Sequence, residues 1–201
     1  MSAGTRHPGW TSKEDARARE ITTVQLLPRL LREGLLPLVA VGGTITTAPV
    51  VYVTEVDRLR CRPRTLWDTD RYGLVVACGL IGPPRVVHDE DGTAHGLEVL
   101  EVGERRVPVN LAGLDSPEAG DPSSPVYIEG SYYLDVDVAA AGASVPGHGT
   151  YRVTAIRRYR PGPTGGPPRE DALRRIPGPD EIEADAFLHV ADLLGPVRER
   201  R

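Results

Sequence analysis

Two groups of arginine, each with an aromatic residue beside it, are the side chains of this acidic chain best suited to binding a ligand. The first group repeats arginine at every second position and is followed by a tryptophan: Arg58, Arg60, Arg62, Arg64 and Trp67. The second surrounds a tyrosine: Arg157, Arg158, Tyr159 and Arg160. Guanidinium groups neutralise phosphates and aromatic rings stack on bases, so the two groups together predict a patch for a single nucleic-acid strand. The alternative is that each arginine pairs with a nearby carboxylate.

The remaining reactive side chains show no pattern typical of catalysis or metal binding. Asp135 and Asp137 have the spacing of a metal-binding pair, but we expect both on the solvent face of a strand, without a third ligand nearby. Cys61 and Cys78 lack a metal-ligand spacing, and no glycine motif that cradles phosphate occurs. We therefore predict no cofactor, no metal ion and no catalytic residue, that is, a protein that is not an enzyme.

A β-sheet is the predicted framework for these groups. Residues 126–138 alternate between apolar and polar positions, which predicts a long strand with one buried face. Gly130 falls on that buried face, where a closing barrel bends and a side chain would be crowded. Four further strand patterns bring the count to five, as in an OB barrel: residues 74–81, 97–102, 106–111 and 151–159.

The chain divides into four predicted regions: an N-terminal helical segment (1–34), an OB-like β-barrel domain (35–160), a Pro/Gly-rich linker (161–179) and a C-terminal amphipathic helix with a basic end (180–201). Apolar residues at helical spacing up to Gly34 predict the first helix, which Pro28 either kinks or restarts. Within the barrel domain, a strand pair at residues 36–45 and 50–59 is expected to extend the sheet.

The predicted C-terminal helix begins at Asp180 and ends at Leu194, with apolar residues on one face and carboxylates in its first turns, where the helix dipole favours them. It either folds back on the barrel or docks on a partner protein. The strand at 126–138 offers an edge to a second copy, so a homo-oligomer is a further hypothesis. No stretch approaches the roughly 18 apolar residues of a membrane span, so we expect no membrane contact and a cytoplasmic location.

Three blocks carry a family resemblance. Residues 78–87 read CGLIGPPRVV and lead through an acidic turn to Thr93 and Ala94, residues 126–130 read VYIEG, and residues 151–156 read YRVTAI. In this order the blocks resemble the OB domain of bacterial single-stranded DNA-binding proteins, over about residues 73–161. The resemblance implies a non-catalytic barrel that binds single-stranded nucleic acid in DNA replication, repair or plasmid maintenance.

Charge departs from that family. Residues 73–150 contain three arginines against twelve acidic residues, whereas residues 151–175 contain seven arginines against two. Phosphate binding needs cations along the path of the strand, so any nucleic-acid contact is expected at the basic margins of the barrel. The alternative function is an acidic, OB-like protein-interaction module that binds no nucleic acid.

A second resemblance supports an enzymatic alternative. Residues 41–45 read VGGTI after an apolar stretch, which is similar to the motif of L-asparaginases in which the threonine attacks an amide. The resemblance implies an amidohydrolase with Thr44 as nucleophile. His148, Gly149 and Thr150 resemble the start of that family's second motif, but Tyr151 stands where the family has aspartate.

Overall fold

The computed structural model describes residues 21–57, 66–82, 85–88, 94–111, 114, 124–135 and 145–196, and this part of the chain is mainly β. Its strands are β1 (Ile21–Leu26), β2 (Thr44–Thr47), β3 (Val50–Asp57), β4 (Leu66–Thr69), β5 (Leu74–Ile81), β6 (Arg85–His88), β7 (Ala94–Val102), β8 (Arg105–Asn110), β9 (Val126–Leu134), β10 (Gly149–Arg160), β11 (Arg169–Leu173) and β12 (Leu188–Leu194). The one α-helix among the described residues is α1 (Pro28–Arg32).

Five strands close into a barrel, which confirms the barrel prediction. β9 is antiparallel to both β3 and β5, and β5 continues through β7 to β8 in antiparallel pairs. The ring closes where β8 runs parallel to β3, with Val109 opposite Val51. Along β9 every second residue from Val126 to Leu134 is buried, as the alternating sequence predicts.

The strand that closes the barrel is not the one predicted. Residues 151–159 do lie in a strand, β10, but β10 lies outside the barrel. It belongs to the part of the same 12-stranded sheet that contains β1, β2, β10, β11 and β12, which we call the second sheet. The barrel position is taken by β3, whose residues Val50, Val51 and Val53 are buried. The predicted strand pair also differs, because residues 36–45 supply only the start of β2, and β2 pairs with β10 rather than with β3. Alternation identifies a strand but does not identify its neighbours.

The second sheet continues from the barrel through β1 and shares the core of the barrel. β12 lies between β1 and β10 and is antiparallel to both. The other side of β10 is divided, since β2 pairs with its first four residues and β11 with its last five. β1 joins the sheet to the barrel by running parallel to β9 at Gln25 and Leu26. One buried cluster contains Ile156 and Leu193 from the sheet together with Val109 from the barrel.

Gly130 has the crowded place that the sequence predicts. It pairs with Val53 on one side and with Val75 on the other. A Cβ atom at this position would collide with the carbonyl oxygen of Tyr52, and the register of β3 against β9 shifts just after Val53. The absence of a side chain therefore lets the two backbones approach closely where the barrel bends.

The predicted N-terminal helix is wrong over residues 21–26, which form β1 between β9 and β12. Helical structure begins only at Pro28, one of the two outcomes expected for that proline, and α1 is followed by Gly34 with φ of 69°. The expected capping motif near residue 11 lies outside the described residues. No helix in the described ranges is long and apolar enough to cross a membrane.

The predicted C-terminal helix is also wrong. A short 3-10 turn, Pro179–Glu181, leads into a loop and then into β12. The apolar residues that suggested a helical face are separated, since Val190 is buried in β12 whereas Phe187 is exposed. Residues 188–194 form a strand rather than a helix because they pair with β1 on one side and with β10 on the other. The preceding Pro/Gly run contains only a 3-10 turn, Pro163–Gly165, whereas the second half of the predicted linker contains β11.

The edge expected to pair with a second copy is not open. β9 has a neighbouring strand on each side, so it presents no free row of backbone groups. Among the strands that the structure describes, the main order instead ends at β11 and at β4. The remainder of the predicted long strand, residues 136–138, lies outside the described residues.

Candidate nucleic-acid interface

The two predicted arginine groups are described to different extents. Arg58, Arg60, Arg62 and Arg64 lie outside the described residues, whereas Trp67 lies on β4. The whole second group lies near the end of β10. Whether the two groups form one patch therefore stays a prediction.

The three arginines of β10 are held by carboxylates from neighbouring segments. Alternation along the strand places Arg157 on one face and its two companions on the other. Arg157 Nη2 donates a hydrogen bond to Asp192 Oδ1 of β12 at 2.5 Å. On the opposite face four residues form what we call the ion-pair network, with N–O distances from 2.5 to 3.3 Å: Arg158, Arg160, Asp171 and Glu183.

These ion pairs neutralise the predicted phosphate site. The side chains of Arg157, Arg158 and Arg160 are only 20%, 13% and 28% exposed, and Asp185 adds a further carboxylate 3.9 Å from Arg160. A phosphate would have to displace carboxylates that are already in contact with the guanidinium groups. For these three residues the structure shows the carboxylate pairing that was the alternative to phosphate binding.

Tyr159, the aromatic member of the second group, is not open to a base. Its side chain is 1% exposed, and its ring packs against Tyr72 with centroids 4.9 Å apart. Burial, followed by the nearby Glu170 carboxylate, raises the pKa of Tyr159 to about 12. The residue is therefore a neutral core tyrosine, and it cannot serve as a stacking platform without unpacking.

Trp67 belongs to a different group of cationic and aromatic side chains. The guanidinium carbon of Arg105 lies 4.7 Å from the centre of the Trp67 ring. The same ring meets Tyr132 edge to face, with centroids 5.9 Å apart. We call Trp67, Arg105 and Tyr132 the aromatic cluster. Three strands supply it, since Trp67 comes from β4, Arg105 from the start of β8 and Tyr132 from β9.

A cleft of about 360 Å³ lies beside the aromatic cluster, between the barrel and the second sheet. Arg105, Arg106 and Tyr132 line its barrel side, and Tyr151 of β10 lines the other. The Tyr151 hydroxyl donates to the carbonyl oxygen of Gly147, and burial raises the pKa of Tyr151 to about 12. The cleft therefore has neutral aromatic walls with two guanidinium groups at its rim.

Arg106, one of the two cations at this rim, is held less firmly than the arginines of the ion-pair network. Arg106 lies 3.1 Å from Glu101, and the two side chains are 51% and 44% exposed. Glu104, in the turn before β8, is the other acid of the rim. Exposed pairs contribute little because water competes for both partners, so exchanging Glu101 for a phosphate would cost little.

Two other candidate residues have surroundings that matter for function. Asp135 is only 5% exposed and accepts a hydrogen bond from the Tyr52 hydroxyl at 2.5 Å, so the expectation of a solvated carboxylate is wrong. Asp137 lies outside the described residues.

Thr44 begins β2 and is exposed, and its hydroxyl has no hydrogen-bond partner in the described part of the chain. Within that part, no three His, Cys, Asp or Glu side chains are grouped to hold a metal ion.

Sequence reasoning missed the arginines and tyrosines of the cleft. Arg105 and Arg106 are two of the three arginines between residues 73 and 150, and they directly follow the Gly103 turn. Two arginines at the start of a hairpin strand, in an otherwise acidic region, were the sequence signal that could have identified this site. Tyr132 was expected on the core face, where it does lie, but its contact with Trp67 depends on the pairing of β4 with β5, which no local pattern reveals.

No protein-family model, curated protein or solved structure matches this chain.

Proposed function

We propose that this protein is a non-catalytic barrel that binds single-stranded nucleic acid, with the aromatic cluster and the adjoining cleft as its binding site. The observation that carries the proposal is the stacking of Arg105 over Trp67 beside Tyr132, at the rim that Arg106 shares. Proteins that bind single strands combine aromatic rings, on which bases stack, with cations that follow the backbone. This site supplies one partly exposed ring, that of Trp67, together with the guanidinium groups of Arg105 and Arg106.

The pairing of the barrel strands supports the interpretation of the barrel as OB-like. In an OB barrel the first strand pairs with the second and the fourth, and the third strand runs parallel to the fifth. Counting β5, β7, β8, β9 and β3 as the first to fifth strands reproduces these pairings. The strand that comes last in the OB order therefore precedes the other four in this chain.

The same correspondence gives the aromatic cluster a meaningful position. OB domains commonly bind oligonucleotides on the face of their second and third strands. These strands correspond to β7 and β8, and Arg105 and Arg106 begin β8 directly after the turn from β7. The fold-level analogy and the local chemistry thus point to one surface. A role in DNA replication, repair or plasmid maintenance follows from the sequence resemblance to single-stranded DNA-binding proteins.

A titration of fluorescent oligo-dT by anisotropy tests the proposal. Wild type is expected to bind at about 50 mM salt and to weaken as the salt concentration rises, because binding releases counterions. Trp67→Leu should weaken binding by about 1–3 kcal/mol, the usual contribution of one stacked base. Arg105→Gln and Arg106→Gln should each lower the slope of log Kd against log salt by about 1 if the arginine contacts a phosphate.

Arg29→Gln is the matched control for the arginine variants. Arg29 lies on α1, contacts Glu33 at 3.8 Å and lines no part of the cleft. The Arg29→Gln variant removes one positive charge, as the cleft variants do, but at a position away from the cleft. The Kd of this variant for oligo-dT should therefore stay within about twofold of wild type. Absence of binding by wild type at low salt, with protein at roughly 100 µM, would refute the proposal.

A second candidate function is a protein-interaction module that binds no nucleic acid. The observation that favours it is the neutralisation of Arg157, Arg158 and Arg160, which removes a predicted basic margin. Under this alternative, oligo-dT would bind neither wild type nor any of the arginine variants at low salt.

A further inference from the structure

The last residues that the structure describes, Gly195 and Pro196, line the cleft beside the aromatic cluster. A Cβ atom at Gly149, the first residue of β10, would lie only 2.6 Å from the Cβ atom of Pro196, so these two residues are packed against each other. Pro196 therefore stands on the same side of the cleft as Tyr151 of β10. The point from which the chain continues beyond β12 is thus fixed at the cleft.

The five residues that follow Pro196 are strongly basic. They lie outside the described residues, and they read VRERR, with three arginines and one glutamate. A fully extended chain advances at most about 3.6 Å per residue, so the Cα atom of Arg198 lies within about 7 Å of that of Pro196. By the same limit the Cα atom of Arg201 lies within about 18 Å. Chain connectivity alone therefore keeps Arg198, Arg200 and Arg201, which we call the tail arginines, within reach of the cleft.

The described rim of the cleft is electrically balanced. Its cations are Arg105 and Arg106, and its acids are Glu104 and the Glu101 that contacts Arg106 at 3.1 Å. Two positive charges therefore meet two negative charges, and a phosphate backbone gains little net attraction from the rim alone. The tail arginines bring three positive charges against the single negative charge of Glu199. They supply the excess of positive charge that a bound strand requires.

On the basis of the proposed function, we propose that the tail arginines bind phosphates of the same single strand whose base stacks on Trp67. The site then spans the cleft. Arg105 and Arg106 contact the backbone beside the stacked base, and the tail arginines contact the phosphates that follow on the side of Pro196. The opposite arrangement, in which the tail arginines pair with Glu101 and Glu104, would make them compete with the strand, and their removal would then strengthen binding.

The salt dependence of oligo-dT binding by the full chain, measured by anisotropy, tests this inference. In the triple variant Arg198→Gln, Arg200→Gln, Arg201→Gln the slope of log Kd against log salt should fall by about 2, because each phosphate contact with a single strand contributes about 0.7. The Kd at about 50 mM salt should rise about tenfold or more. The corresponding triple Lys variant keeps the positive charges, so its slope should stay close to that of wild type.

The matched control is the triple variant Arg29→Gln, Arg32→Gln, Arg169→Gln. It removes the same number of charges from exposed positions that line no part of the cleft, so its slope should stay within about 0.5 of wild type. If the tail variant keeps the wild-type slope, binds more tightly or loses no more than the control, this inference is wrong. The proposed function survives that result if Trp67→Leu still weakens binding. If wild type does not bind at low salt, both fail.

Discussion

The guanidinium group of Arg160 lies 2.7 Å from the carboxylate of Asp171 on the neighbouring strand. Arg158, two positions earlier on the same face of β10, reaches the same carboxylate at 3.3 Å. One acid therefore serves two arginines, and Glu183 contacts both from the other side. The charges of Arg158 and Arg160 are therefore balanced by two carboxylates in the folded chain.

Asp171→Asn should destabilise the protein. It leaves Arg158 and Arg160 partly buried with one carboxylate fewer, which we expect to lower the free energy of unfolding by about 1–2 kcal/mol. Urea unfolding followed by circular dichroism measures the change. Asp180→Asn, an exposed control, should stay within about 0.5 kcal/mol of wild type. Equal stability of both variants would mean that the network contributes nothing measurable.

Replacing the arginines of β10 should leave nucleic-acid binding nearly unchanged. Because Arg157, Arg158 and Arg160 are occupied by carboxylates, their single Gln variants should alter the Kd for oligo-dT by less than about threefold. The measurement is the anisotropy titration, limited to variants whose circular dichroism spectrum matches wild type. A tenfold loss of affinity for oligo-dT in a folded variant would show that the arginines of β10 take part in binding.

Gly130→Ala should be costly because the new methyl group meets the fixed carbonyl oxygen of Tyr52. We expect the free energy of unfolding to fall by about 1–3 kcal/mol, as for other overpacked sites. Gly82→Ala is the matched control, since its Cβ would lie 3.5 Å from the nearest atom, the carbonyl oxygen of Val99. Urea unfolding measures the stability of both variants. If Gly130→Ala is as stable as Gly82→Ala, β3 and β9 can move apart at little cost in free energy.

His189 should make the stability depend on pH. Burial, and then the charge of Arg158, lower the pKa of His189 below its ordinary value of 6.5, although Glu183 acts in the opposite direction. The unfolded chain therefore takes up the proton first, so stability is present above pH 6.5 and is lost as the pH falls towards the lowered pKa. Urea unfolding at pH 8 and pH 5.5 should show this loss, which should shrink in His189→Gln. An equal loss in that variant would assign the effect to other groups.

Local patterns predicted the strands of the barrel but not all of their neighbours. β9 was predictable because its alternation of buried and partly exposed residues lies within a single segment. β10 was recognised as a strand for the same reason. The closure of the barrel by β3 depends on Val51 meeting Val109, residues far apart in sequence, and no periodicity encodes that choice.

The errors at the chain ends and at the candidate site share this cause. In β12 a short apolar run fits a helix or a strand equally well, and the edges of β1 and β10 decide between them. At the site, the number of acidic residues suggested that arginines would be paired. Only the placement of β11 against β10 shows that Asp171 is one of the partners.

Cross-linking of a photoreactive oligo-dT to the wild-type protein, followed by mass spectrometry of the peptides, tests the central claim most directly. At about 50 mM salt the cross-links should fall on Trp67 and should fade as salt releases the strand. Cross-links confined to residues 157–160, or no cross-link at low salt, would contradict binding of single-stranded nucleic acid at the aromatic cluster.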